Sequence, residues 1–147
     1  MWPTYNRPMA DDHAGLRDVN ERFYRALESL DLDAMDVLWS HERWVRCVHP
    51  GSDAIVGWQE IRRSWQEIFA TTRWLRVTPT AVDVTVLGGV GMVACSENIT
   101  AANEGDVGLA VAQATNLFQR TPAGWLMVLH HASPSPVQLT SPETGSA

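Results

Sequence analysis

"RWLRVTPTAVDVTVLGG" (73–89), "VGMVACSENITAA" (90–102), "VGLAVAQATNLFQRT" (107–121) and "GWLMVLHHASP" (124–134) stand almost end to end in this chain. Each run is rich in Val, Thr, Leu or Ile, the residues that suit a pleated, half-buried surface. Gly88-Gly89, Asn103-Glu104-Gly105 and Thr121-Pro122-Ala123-Gly124 separate them with turn chemistry. Adjacent strands joined by such short turns make an antiparallel meander. Pro79 cannot donate to a ladder, so the first run is expected at an edge or a bulge.

Upstream the pattern changes to a helical period. Leu16, Val19, Phe23, Leu27 and Leu30 form one apolar stripe behind the acidic pair Asp11-Asp12, which suits a helix N-terminus. Asp31 is a good N-cap for a second, shorter helix that buries Leu32, Met35, Leu38 and Trp39. "RWVRCVHPG" (43–51) reads as a short strand in which Arg46 faces outward, and Val45, Cys47 and His49 face the other way. Gly51 to Gly57 is expected as a loop. A third helix over about 58–71 presents Trp58, Ile61, Trp65 and Ile68 on one side. The order α-α-β-α-β-β-β-β is an α+β arrangement: three N-terminal helices packed in the concave face of a curved, mainly antiparallel sheet. A sheet curved over helices encloses a cone, and such concavities take small molecules.

The 147 residues suit one domain. We expect a flexible arm over 1–10, the cone over 11–134 and a Ser/Pro/Thr-rich disordered tail over 135–147. The net charge is −6, and all eleven basic residues are arginine without a cluster. Nucleic-acid binding needs a basic stripe, so no nucleic-acid partner is expected. No run approaches ~18 apolar residues, and the N-terminus lacks a secretory pattern, so a soluble, cytoplasmic protein with no membrane partner is expected. Cys47 and Cys95 lie in apolar runs without zinc-ligand spacing and are expected as buried thiols.

Four local stretches carry a family resemblance. They are "LDLDAMDVLWS" (30–40), "VRCVHPG" (45–51), "IVGWQEIRRSWQEIF" (55–69) and "ATNLFQRTPAGWLMVLHHASP" (114–134). With the element order, they resemble the SnoaL-like group of polyketide-cyclase relatives, within the nuclear transport factor 2-like fold. That fold is also called ketosteroid isomerase-like, or the cystatin-like α+β cone. The resemblance covers about residues 11 to 134. It implies a small dimer of unknown activity, in a superfamily that holds isomerases, cyclases, dehydratases and epoxide hydrolases as well as non-catalytic transport and assembly modules.

Under that fold, His49 and His131 would approach the open end of the cone. Alternation puts Trp125, Met127, Leu129 and His131 on the cavity face, and Leu126, Val128 and His130 outside. Two imidazoles titrating near ~6.5 suit acid–base work, the alternative being rings bonded to backbone carbonyls at strand ends. Glu97 shares a face with Val93, Cys95 and Ile99, so its carboxyl is expected to titrate high unless an arginine such as Arg46 or Arg120 pairs with it. The expected catalytic set is therefore His131 and Glu97, with His49 assisting. Tyr24, matched by position to the family's first-helix oxyanion donor, joins Trp39, Cys47, Trp65, Gln113, Thr115 and Trp125 as ligand-binding residues. Ala112, Ala114, Asn116 and Phe118 are expected on a face suited to dimer packing through the sheet. No cofactor is expected. A metal held by His49, His131 and a carboxylate ranks lower, because no HxH or HxxxH spacing is present. Cofactor-free cyclase, isomerase or dehydratase chemistry on an apolar substrate leads. A non-catalytic ligand-binding or dimerisation module is the alternative.

Overall fold

In the computed structural model α1 (Ala10–Glu28) starts on Asp11 and Asp12, as expected. Residues 10–136 are described, so the expected arm and tail fall outside them, apart from Ala10 at the start of α1 and Ser135-Pro136. The stripe of α1 is buried through Leu16, Val19, Phe23 and Leu27. Two polar residues, Asn20 and Tyr24, are buried on the same side. The helix ends in a Schellman turn: the Leu30 N–H bonds Leu27 O and the Asp31 N–H bonds Ala26 O. Leu30 takes the left-handed conformation (φ 53°) that reverses the chain. Asp31 then caps α2 (Leu32–Leu38) by accepting the Ala34 N–H at 3.1 Å. One residue pair thus stops one helix and starts the next.

β1 (Arg46–Val48) follows, then a two-residue β2 (Ile55–Val56) inside the segment expected to be a loop. α3 (Trp58–Thr71) buries Trp58, Ile61 and Trp65. The meander is β3 (Trp74–Leu87), β4 (Val90–Asn103), β5 (Asp106–Thr121) and β6 (Gly124–Ser135). The sheet order is β2-β1-β6-β5-β4-β3, antiparallel throughout except where β1 runs parallel to β6. Three helices against one curved, six-stranded sheet make the expected α+β cone. Pro79 sits in the edge strand β3, ahead of a bulge between Thr80 and Asp83 where Ala81 has φ 51°.

A second bulge decides the interior. Leu117 pairs with Leu129, but Phe118 pairs with Met127, leaving Val128 as the extra residue of β6. An extra residue shifts every later side chain to the opposite face. Trp125 and Met127 face the helices as expected, yet past Val128 it is His130 and Ala132 that turn inward. His130 is 2 % exposed, while His131 lies on the outer surface. The expected assignment of His131 to the cavity face and His130 to the outside is thereby corrected. The bulge is clamped by α2, whose last turn hands Trp39 to a bridge with Met127 and the Ser40 N–H to Met127 O.

β5 is likewise opposite to expectation. Ala112, Ala114, Asn116 and Phe118 are buried under the helices, and Gln113 and Thr115 face outward. Gly91 shows how closely α1 lies on the sheet. A Cβ built there would collide with the side chain of Leu16, which is fully buried. We expect Gly91→Ala to lose about 1–3 kcal/mol in denaturant unfolding through overpacking. Leu16→Ala in the same chain should recover part of the clash, so that the two changes are non-additive.

Candidate active site

The cone interior holds a connected chain of polar side chains. α1 supplies Asn20 and Tyr24 from one helical face, one turn apart. β4 supplies Cys95 and Glu97 by alternation, β5 supplies Asn116, and β6 supplies His130 past the bulge. Tyr24 Oη donates to Glu97 Oε2 at 2.6 Å and lies 3.3 Å from Cys95 Sγ. Asn116 Nδ2 donates to Asn20 Oδ1 at 2.8 Å and to Tyr24 Oη at 3.1 Å. His130 Nδ1 lies 2.7 Å from Asn116 Oδ1, and His130 Nε2 stands 4.0 Å from Glu97 Oε2. Neither Arg46 nor Arg120 reaches Glu97. The Arg120 guanidinium is engaged by Asp12 and stacks 4.6 Å over Trp125.

Burial sets the ionisation of this group. Glu97 is 3 % exposed, and desolvation raises its carboxyl, opposed by the Tyr24 hydrogen bond. Desolvation also lowers His130 to about 3, with smaller contributions from His49 and His131. The Tyr24 hydroxyl is pushed far up by burial and by Glu97, so it keeps its proton and donates it to Glu97 while accepting from Asn116. At neutral pH His130 is a neutral imidazole, and the site carries an acid of raised pKa beside a base of lowered pKa.

A second histidine stands next to this chain. His49, at the end of β1, bonds Ser64 Oγ on α3 at 2.9 Å and is lowered to about 4 by burial. Its ring meets Trp65 edge-on at 4.6 Å, and the His130 ring lies 6.0 Å from the same indole. Trp65 is 2 % exposed, and its Nε1 has no hydrogen-bond partner. Cys47, buried beside His49, has its thiol pushed up by burial and by Glu97. Among the described residues no three His, Cys, Asp or Glu side chains converge to hold a metal ion.

A groove between α1 and β3 borders this chain of polar side chains. A cavity of about 370 Å³ lies there, with Asn20 and Tyr24 on its inner wall and Val77, Pro79 and Val82 opposite. Asn20 and Tyr24 are common to this groove and to the polar chain that includes Glu97. Arg17, Glu21, Arg25 and Glu28 ring the mouth. Arg25 is paired with Glu21, and Glu28 accepts the Val77 N–H at 3.1 Å, holding the edge strand to the helix.

Of the residues expected from the sequence, Tyr24, Glu97, Cys47, His49 and Trp65 gather in the interior. His131, Gln113 and Thr115 instead line a separate cavity of about 540 Å³ on the outer face of the sheet, where Gln113 accepts from Ser96 at 3.1 Å. Trp39 stacks on Trp58 at 5.7 Å, and Trp125 packs beside Gly15 and under Arg120. Asn20, Asn116 and His130 were missed. Asn20 carried a usable signal, because it is a polar residue on the Leu16-Val19-Phe23 stripe. Asn116 carried the same signal beside Ala112, Ala114 and Phe118, but which face of β5 meets the helices is set by packing, and His130 carried none, because its face depends on strand register.

A family model described as a SnoaL-like domain matches residues 16–138. The chain belongs to the SnoaL-like domain family. An NTF2-like family protein from Streptomyces avermitilis, provisionally termed a dehydratase, is 34% identical. That match covers 86% of this chain and 98% of the other, with a TM-score of 0.81. A protein from Thiobacillus denitrificans, provisionally named as a calcium/calmodulin-dependent protein kinase type II association domain, is 28% identical over 82% of this chain and 94% of its own, at TM-score 0.72. The Arabidopsis thaliana F-box protein SKIP8 is 27% identical over 115 residues, 78% of this chain and 47% of that protein. The SnoaL-like chain thus spans about half the length of this curated relative. A ketosteroid isomerase-like protein from Erwinia carotovora atroseptica shares the fold at 20% identity and TM-score 0.74.

Proposed function

We propose that this SnoaL-like protein binds a small, largely apolar carbonyl compound through the α1–β3 groove and moves protons on it without a cofactor. The observation that carries the reading is the buried Tyr24–Glu97 pair with His130 Nε2 4.0 Å away, adjoining a groove whose inner wall is Tyr24 itself. Two titratable groups whose environments push them in opposite directions are the arrangement that acid–base catalysis uses. Family membership and the Streptomyces relative termed a dehydratase support a small-molecule ligand and this class of chemistry.

The step balances within the site. The Glu97 carboxyl gives its proton to the substrate carbonyl oxygen while His130 Nε2 takes one from the adjacent carbon. An enol and a Glu97 carboxylate–His130 imidazolium pair result. Return of a proton to a different atom gives isomerisation, and loss of a β-hydroxyl as water gives dehydration. Tyr24 holds the carboxyl, and displacement of its ring opens the groove to it. His49 and Trp65 bound the opposite side.

The test uses small cyclic ketones as probes in D2O, followed by NMR. Binding should perturb Tyr24, Asn20 and Val77, and the protons next to the carbonyl should exchange for deuterium faster than without protein. Ketones that perturb only Gln113, Thr115 and His131 would refute the groove, and binding without exchange would refute the chemistry.

A second reading is assembly without catalysis. It is supported by the hydrogen bonds that already engage His49 and His130, and by the Thiobacillus relative named for association. Its interface would be the outer sheet face of a second copy, around Thr115, Leu129 and His131. Thr115→Arg should then convert a dimer to a monomer in analytical ultracentrifugation, and a wild-type monomer would end this reading.

A further inference from the structure

The hydrogen bonds assign a proton position that neither family nor fold dictates. Tyr24 Oη has one hydrogen, and the 2.6 Å contact uses it on Glu97 Oε2, the accepting oxygen of the carboxyl, so that the proton Glu97 gives to substrate belongs on Oε1. Tyr24 therefore accepts the 3.1 Å bond from Asn116, so that end of the Asn116 amide is its Nδ2. The same Nδ2 supplies Asn20 Oδ1. The other end, Oδ1, can only accept, and it faces His130 Nδ1 at 2.7 Å. His130 must carry its hydrogen on Nδ1 and leave Nε2 bare, on the side of Glu97.

His49 is set the opposite way. Ser64 Oγ donates to Ile61 O at 2.7 Å, so it accepts from His49 Nε2, which must hold the hydrogen. The two imidazoles that flank Trp65 therefore carry opposite tautomers, each fixed by a neutral neighbour.

We propose that Asn116 is a positioning residue, which locks the Nδ1–H tautomer of His130 and so makes Nε2 the proton acceptor of the site. The inference rests on the proton-transfer reading for its purpose, but not for its geometry. Free imidazole offers both tautomers, and a base whose acceptor nitrogen carries a hydrogen cannot take a proton. In a serine-protease triad, holding the wrong tautomer costs about 10⁴-fold in turnover. Here the device is an amide instead of a carboxylate, so the imidazole is oriented without a charge that would raise its basicity.

The test reads the tautomer directly. Long-range proton–nitrogen correlation spectra of the 15N-histidine-labelled full chain at pH 7.5 separate bare from protonated ring nitrogens. The wild-type spectrum should show His130 bare at Nε2 and His49 bare at Nδ1. Asn116→Leu should move His130 toward the Nε2–H form and leave His49 unchanged, with at least a 10²-fold loss of ketone exchange. Asn116→Asp, which keeps an acceptor opposite Nδ1, should retain the wild-type tautomer. A wild-type His130 protonated at Nε2 would overturn the proposal before any variant is made, whether or not Asn116→Leu folds. An unchanged His130 spectrum in a folded Asn116→Leu would overturn it too. The correct tautomer without ketone exchange in the wild type would leave Asn116 its role and remove the catalytic reading.

Discussion

The protein should lose stability steeply as pH falls from about 6.5 toward 4.5, before ordinary carboxylates titrate. His130 and His49 are lowered from 6.5 to about 3 and about 4, chiefly by burial. For a base depressed in the folded state, the unfolded chain binds the proton first. Stability is therefore full above the unfolded value and declines as pH drops toward the folded one. Two such groups give a slope approaching about 2.7 kcal/mol per pH unit. A domain with about 5–15 kcal/mol in hand would lose much of it within two units. Glu97 acts with the opposite sign and offsets part of that slope wherever its raised carboxyl takes up its proton. Its raised carboxyl favours the folded state below the unfolded value and costs stability as pH rises through the folded one. The measurement is a series of urea unfolding curves from pH 7.5 to 4.5. His130→Asn, whose amide can still donate to Asn116, should remove about half of the slope between pH 6.5 and 5 whatever it does to the midpoint. An equal slope in wild type and variant would show that His130 is solvated and titrates normally.

Glu97→Gln should abolish ketone exchange by about 10²–10⁴-fold, the usual contribution of one acid–base group. Stability should stay level or rise above pH 7. Glutamine keeps an acceptor for Tyr24 Oη, so the 2.6 Å bond has a successor. It also removes a carboxyl that must either be buried charged or hold its proton against the solvent. Calorimetry of both proteins at pH 8 separates the roles. A lower melting temperature in Glu97→Gln would make Glu97 a structural residue, and unchanged exchange would remove it from the chemistry.

Much of this protein was legible without coordinates. The Leu16–Leu27 stripe, Asp31 as a helix cap, the turn residues at 88–89 and 103–105, and the Pro79 edge position are local signals. Each is written in two to twelve neighbouring residues, because helix period, capping and turn geometry act over that range. The inward faces of β1 and β4 followed for the same reason, since strict alternation holds in both. Glu97 and Cys47 were found that way.

What the sequence could not decide lay downstream of a bulge. Nothing in "GWLMVLHHASP" marks Val128 as the extra residue, because the bulge exists only in the pairing of β6 with β5 and in the grip of α2 on Met127. One inserted residue exchanges His130 for His131, moving the candidate base from one adjacent residue to the other. The inward turn of Asn116, and with it the single tautomer left to His130, are likewise properties of register and contact. The sequence by itself determined an α+β cone with a carboxylate on an apolar strand face. Only the tertiary structure chose which histidine meets that carboxylate, because a side chain's face is a property of the pair of strands and not of either one alone.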